Sequence, residues 1–261
     1  MASTYKVLGQ SVSAESQKNI TNKAISNDVV TLTTDTNHNI IVGQTVTLAE
    51  NAQSATLSTK EITGNVATLS TVNPNRIKQG QVVTIAGVDT IFDGVHTVTA
   101  ITGNSFSYNL TNSDIASTVA TGTVEYSDLA FNGTFVVDSN PTTTTFTYTT
   151  ASDDLTSTAA TNFTMTHIPW EVVYTCPAET ATVMSSIVIC NQSEVPTTYQ
   201  VAIAPSLDLS NENLLYYNDV LEPSDTITIT GGFIVDATTK YFMVGADVEN
   251  VSVTAFGSEV S

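Results

Sequence analysis

Positive charge is what this sequence has least of. Its 261 residues carry 7 Lys and Arg against 25 Asp and Glu, a formal charge of −18, and Arg76 is the one arginine. A nucleic-acid binder releases counterions from phosphates with clustered Lys and Arg, so the composition argues against that class. Long apolar runs are missing too. None approaches the roughly 18 to 20 residues that span a bilayer, and no membrane insertion is expected. The opening MASTYKVLGQSVSAESQ lacks the basic-then-apolar build of a signal peptide, which predicts synthesis in a cytoplasm. Cysteine is limited to Cys176 and Cys190, flanking one predicted strand. In that compartment they read as reduced, buried small hydrophobes, with a disulfide as the alternative. His38, His96 and His167 lie far apart, and none has a partner at ligand spacing, so they read as turn or solvent residues. Gly-x-Ser-x-Gly, His-Glu-x-x-His, the phosphate-cradling Gly-Lys-Ser/Thr and Gly-x-Gly-x-x-Gly are all missing. No catalytic residue, metal or cofactor is expected, and an enzyme is disfavoured.

Threonine is what the chain has in abundance, with 46 residues, while charged residues are only 12%. Branched Cβ atoms suit a pleated surface, and Thr offers a methyl to its neighbours and a hydroxyl to water. Apolar residues alternate with polar ones through nearly the whole chain, which sets an all-β protein against the disorder that a Thr/Ser/Asn-rich acidic sequence would otherwise suggest.

The chain also repeats itself. VVTLTTDTNHNIIVGQTVTL at 29–48 aligns without a gap to VATLSTVNPNRIKQGQVVTI at 66–85, an offset of 37 that matches Ile40 to Ile77 and Gly43-Gln44 to Gly80-Gln81. A second match joins Phe92–Val124 to Phe131–Thr164, pairing Phe92 with Phe131, Phe106 with Phe146, Tyr108 with Tyr148 and Asp114 with Asp154. The halves run first, first, second, second. A tandem array would alternate them, so the economical reading nests one complete unit in a loop of another; two imperfect neighbours sharing strands is the alternative. Each unit reads as about five short strands in a small barrel or sandwich, with the repeated aromatics as core.

From about 170 the pattern turns to longer strands punctuated by Pro177, Pro196, Pro205, Pro223 and Gly231-Gly232. Six of these with the N-terminal TYKVLG make an immunoglobulin-like or jelly-roll sandwich. The expected organisation is thus a sandwich base of 1–24 plus 167–261, a split module of 25–63 plus 127–166, and a nested module of 64–126. Residues 13–25 hold the one weak claim to helix, and 206–218 read as a loop or short helical turn.

Few residues point to chemistry. Asp153-Asp154 and the other carboxylates have no EF-hand spacing. The Asn-x-Ser/Thr triplets are what a chain rich in Asn and Thr produces by chance. Trp170, Tyr216 and Tyr217 near loops are the candidate interface residues, for sugar stacking or for core and subunit packing.

MASTYKVLGQS, VVYTCPAETATVMSSIVICNQ at 172–192, TTYQVAIAP at 197–205 and VSVTAFGSEVS at 251–261 resemble structural proteins of tailed phages that infect marine cyanobacteria. VVTLTT and VATLST, followed by GxxVTI and FxGxxTV, are similar to small β modules of phage tail and appendage proteins. Those often carry His-Gly before the second strand; here Asn39 follows His38, and Asn75-Arg76 stands in the other copy. The resemblance implies a non-enzymatic virion protein, a multi-copy decoration or tail component made in the host cytoplasm. Its partners would be other virion proteins and further copies of itself, with the sandwich docking on the particle and the nested modules projecting. A receptor-binding appendage adhering to host glycans is the alternative, and a lyase or hydrolase on a β scaffold the third reading.

Overall fold

The computed structural model describes residues 5–40, 42–207, 209 and 211–260. Among them the fold is all-β: strands joined by turns, with one 3-10 turn at Asn211–Asn213. In chain order the first strands are β1 (Tyr5–Val12), β2 (Ser16–Ser26), β3 (Val29–Thr34) and β4 (Thr45–Glu50). Next come β5 (Gln53–Thr63), β6 (Val66–Thr71), β7 (Val82–Ala86), β8 (Gly94–Thr97), β9 (Ala100–Thr102), β10 (Ser105–Asn109), β11 (Ile115–Val119) and β12 (Thr123–Tyr126). The chain continues through β13 (Gly133–Val136), β14 (Ser139–Thr142), β15 (Thr145–Thr149), β16 (Leu155–Ala159) and β17 (Phe163–His167). The last strands are β18 (Glu171–Thr175), β19 (Ala181–Asn191), β20 (Thr197–Ala204), β21 (Leu214–Leu221), β22 (Thr226–Val235), β23 (Tyr241–Ala246) and β24 (Val251–Val260).

The chain forms two compact units. One holds Met1–Leu48, Thr134–Thr150 and Asp154–Ser261; the other holds Ala49–Gly133 with Ala151–Asp153. The expected sandwich therefore falls in the first unit, while the expected split module is divided, its residues 49–63, 127–133 and 151–153 falling in the second.

In the first unit, two four-stranded sheets, β1-β24-β19-β22 and β18-β23-β20-β21, make a β-sandwich. Met184, Ile187, Ile189, Tyr199, Val201 and Phe242 lie on the inner faces, each 1% exposed or less, the bulge between Met184 and Ser186 letting Met184 and Ile187 share a face, while Thr226, Thr228 and Thr230 of β22 are exposed. The sheets approach closely along one side: a Cβ on Gly9 of β1 would lie 1.7 Å from the Val173 carbonyl oxygen of β18. The strands number eight, one more than expected, because residues 214–218 of the expected loop open strand β21.

The same unit contains an eight-stranded sheet, β13-β4-β17-β2-β3-β15-β14, with β16 on β2. The second unit has β8-β7-β12-β5-β6-β10-β9, with β11 on β5. Strand for strand the two orders are the same. Phe106, Tyr108, Phe146 and Tyr148 are each 1% exposed or less, as the repeated aromatics predict, and so are Phe92 and Phe131.

Two sequence boundaries move. Residues 16–24, expected in the sandwich and partly as helix, belong to β2, which pairs with β3, β16 and β17; residues 53–63, expected in the split module, are β5, which pairs with β6, β11 and β12. The cause is a bulge in each. Register shifts between Ile20 and Asn22 in β2 and between Leu57 and Thr59 in β5. A bulge reverses which residues face inward, so Ile20, Lys23 and Ile25 are all buried and no clean period of two survives. The bulged hydroxyls act alike: Thr21 Oγ1 donates to Thr33 O at 3.2 Å and Ser58 Oγ to Ser70 O at 3.1 Å.

Candidate functional site

The residues that the repeats single out turn out to fasten loops. His38 Nδ1 accepts the Ile40 N–H at 3.0 Å, and Asn75 Oδ1 accepts the Ile77 N–H at 3.1 Å in the other copy. An imidazole nitrogen and an amide oxygen thus perform the same Asx-like turn closure. The two Gly-Gln turns also match. Gln44 Nε2 donates to Ile168 O at 3.3 Å, and Gln81 Nε2 donates to Ser127 O, each tying the turn to the chain leaving the last strand of its module. Asp114 Oδ1 accepts the Gly64 N–H at 2.9 Å, and Asp154 Oδ1 the Asn27 N–H at 2.8 Å. His96 stacks on Tyr108 with centroids 4.0 Å apart, and Phe135 stacks on Tyr148 at 4.3 Å in the other module. A phenylalanine in the equivalent place identifies His96 as a packing residue.

One fastening was not legible in the repeats. Asp89 Oδ1 accepts the Ile91 N–H at 2.8 Å, Asp128 Oδ1 the Ala130 N–H at 3.0 Å, and each aspartate stands three residues before Phe92 or Phe131. The string Asp-x-x-Phe-x-Gly, present twice, at 89–94 and 128–133, is its sequence signal. Lys60 pairs with Asp89, whose carboxyl this hydrogen bond holds below the usual range. Arg76 pairs with Asp128.

The sequence-derived interface residues separate. Trp170 is corrected to a core residue: it is 4% exposed, packed with Ala202, Ala204 and Met243. Its indole lies so close to β23 that a Cβ on Gly245 would come within 2.8 Å of it. Tyr216 is half-buried, its ring 6.4 Å from that of Tyr199. Tyr217 is 54% exposed, alternation having turned it outward on β21. Cys176 and Cys190 are free thiols.

The first unit contains a polar cavity of about 320 Å³ whose walls include Glu15, Gln44, Thr47, His167, Asp247 and Glu249. Glu249 Oε1 accepts the Glu15 N–H at 2.8 Å, and Asp247 accepts the Thr198 hydroxyl. His167 is 4% exposed, and burial pushes its pKa down to about 4, so its ring is neutral near pH 7. Among the described residues no group of three or more His, Cys, Asp or Glu could hold a metal ion. The cavity presents carboxylates and hydroxyls, the groups that accept hydrogen bonds from a polyhydroxyl ligand.

No family model matches the chain, and no curated protein matches it. Among solved structures, the "Structure of infectious bursal disease virus Gx strain" aligns over 96% of this chain and 71% of that one. The identity is 6% and the TM-score 0.19, a likeness that carries no argument about fold or function. No helix among the described residues is long and apolar enough to cross a membrane.

Proposed function

We propose that the chain is a non-enzymatic virion structural protein of a tailed phage, a multi-copy decoration or a tail or appendage component. The observation that carries this reading is the duplicated module. One chain builds the same eight-stranded fold twice, and the matched side chains of the two copies fasten loops. Duplicating a scaffold adds surface and reach, which serves display and spacing more than turnover at a single site. The sandwich, built from both ends of the described chain, is the docking element of this proposal. Its partners are other virion proteins and further copies, and its location is the virion. Weak docking contacts repeated over a lattice become effective through avidity.

The polar cavity favours a second reading, a receptor-binding appendage that takes host glycans. The test is labelling of virions of the encoding phage with an antibody against residues 53–126, viewed by electron microscopy. Regular signal on head or tail supports a decorating or structural component. Signal confined to fibre tips, with retention on a glycan array, favours the adhesin. Absence of the protein from purified, denatured particles overturns both.

A further inference from the structure

Among the described residues, the sandwich sheet β1-β24-β19-β22 ends on β22 with nothing paired to its far side. Exposed edges are normally guarded by charge, proline, bulges or cover. At the opposite edge β1 is covered by β18, where Ser11 Oγ donates to Glu171 Oε2 at 2.8 Å. In the facing sheet, edge strand β21 carries Asp219 and two register shifts. The sequence of β22, TITITGGFIV, holds no charge in a chain with a formal charge of −18. Its one guard is the register shift at Gly231-Gly232, opposite Ser185, and Thr226–Thr230 stays regular.

The open backbone groups of that stretch can be assigned. Asn191 N–H donates to Asp225 O at 3.0 Å, and hydrogen-bonded pairs alternate along an antiparallel ladder. Ile227 and Ile229 therefore bond β19, while Thr226, Thr228 and Thr230 turn their N–H and C=O groups outward. The Thr226 N–H agrees with this parity, because it goes to Asp225 Oδ1 at 2.8 Å.

We propose that Thr226–Thr230 is where a second copy of this chain adds, edge to edge and antiparallel, about a two-fold axis through Thr228. TITIT reads the same in both directions. This register sets Thr228 against its own copy, Thr226 against Thr230, and Ile227 against Ile229, so outward-facing groups meet outward-facing groups. The isoleucines continue the inner face and the threonines the solvent face, because the axis is normal to the sheet. The two Thr228 residues exchange N–H···O=C bonds, and each Thr230 N–H reaches the Thr226 carbonyl of the other copy. The Thr226 N–H stays on Asp225. Asp225 falls opposite Gly231, whereas sliding the strands to full overlap would set Asp225 against Asp236. That clash specifies the register. A short strand contact buries less than a standard stable interface, and two chains of −18 repel at long range, so the dimer is weak and strengthens with salt. This inference stands whatever particle the chain belongs to.

Sedimentation of the full chain at low and high salt tests it. The expected result is a monomer–dimer equilibrium that salt shifts toward dimer. Thr228→Lys puts like charges on the axis and weakens the dimer by roughly tenfold or more, with the monomer's melting unchanged. Thr228→Cys cross-links to itself on oxidation, since directly paired Cα atoms about 5.5 Å apart suit a disulfide. Thr226→Cys and Thr230→Cys cross-link only when mixed with each other. Unmutated protein, with its two native thiols, is the control. Monomer under all conditions, a dimer indifferent to Thr228→Lys, or cross-linking without this pairing pattern overturns the proposal. If the lysine variant fails to fold, the cysteine pattern decides alone.

Discussion

Arg76 and Asp128 form a buried ion pair: Arg76 Nε donates to Asp128 Oδ2 at 2.6 Å, with the side chains 14% and 3% exposed. The same guanidinium donates to Asp153 O at 2.6 Å and to Ser152 Oγ, and the other carboxylate oxygen caps Ala130. One cation, the chain's sole arginine, thus gathers residues 128–130 and 152–153 within one compact unit. Removing either partner leaves a charge buried without compensation. Arg76→Ala or Asp128→Ala should cost about 3–5 kcal/mol, and Arg76→Met with Asp128→Leu together less than either alone. Hydrogen exchange on β5, β6 and β12 would measure the loss, while Trp170 fluorescence, reporting the other unit, should keep its denaturation midpoint. Equal sensitivity of both probes would refute a local role for the pair.

Much of this architecture was legible in the sequence, and what escaped has physical causes. Regular alternation and the offset of 37 give β3, β4, β6 and β7 directly. The same offset relates β2 to β5, but the bulges at Thr21 and Ser58 scramble their alternation, and few identities survive between SQKNITNKAIS and QSATLSTKEIT. Trp170 looked like an interface residue beside a loop. Burial depends on what packs over a residue, here Ala202, Ala204 and Met243 from distant strands, and one sequence does not disclose that. Likewise His38 and Asn75 differ in chemistry at matched positions of the two copies, yet in space they do the same work.

His167 should make the first unit acid-labile. Its pKa falls from 6.5 to about 4 on folding, mainly because burial penalises the charged ring. The unfolded chain then takes up the proton first as pH drops. The stabilisation is full above about pH 6.5 and is lost as pH falls toward 4, by an amount on the order of 3 kcal/mol. Urea midpoints from Trp170 fluorescence between pH 7 and 4 would follow it. His167→Leu should flatten the profile; an unchanged slope would assign the acid sensitivity elsewhere.

Gly9 sets how closely β1 approaches β18. Gly9→Ala places a methyl 1.7 Å from the Val173 carbonyl oxygen, which backbone cannot accommodate without displacing a strand. A loss of about 2–4 kcal/mol is expected, with early hydrogen exchange along β1. At Gly232 a Cβ meets nothing within 4 Å, so Gly232→Ala is the control and should stay within roughly 1 kcal/mol. If the two variants melt alike, the close approach is not what selects glycine.

The duplicated topology dictates where one module can be cut out of the other. Glu50 closes β4 where Gly87 follows β7, and Ser127 precedes Asp128 where Val88 precedes Asp89. Excising 51–126 and joining Glu50 to Ser127 therefore recreates the loop length that connects β7 to β8. It also keeps Phe131, the counterpart of core residue Phe92. The strand ends already sit together, with Thr47 Oγ1 and Thr134 Oγ1 3.4 Å apart. Asp128 loses Arg76 in this deletion, so Asp128→Asn is added; the amide oxygen can still cap the Ala130 N–H. The shortened chain should unfold cooperatively with a Trp170 midpoint within about 1 kcal/mol of the full chain's stability. The same cut moved to 64–126 severs β5 from its module and strands it, so that variant should aggregate. Should the 64–126 deletion fold as well as the 51–126 one, β5 would not belong where the strand pairing puts it.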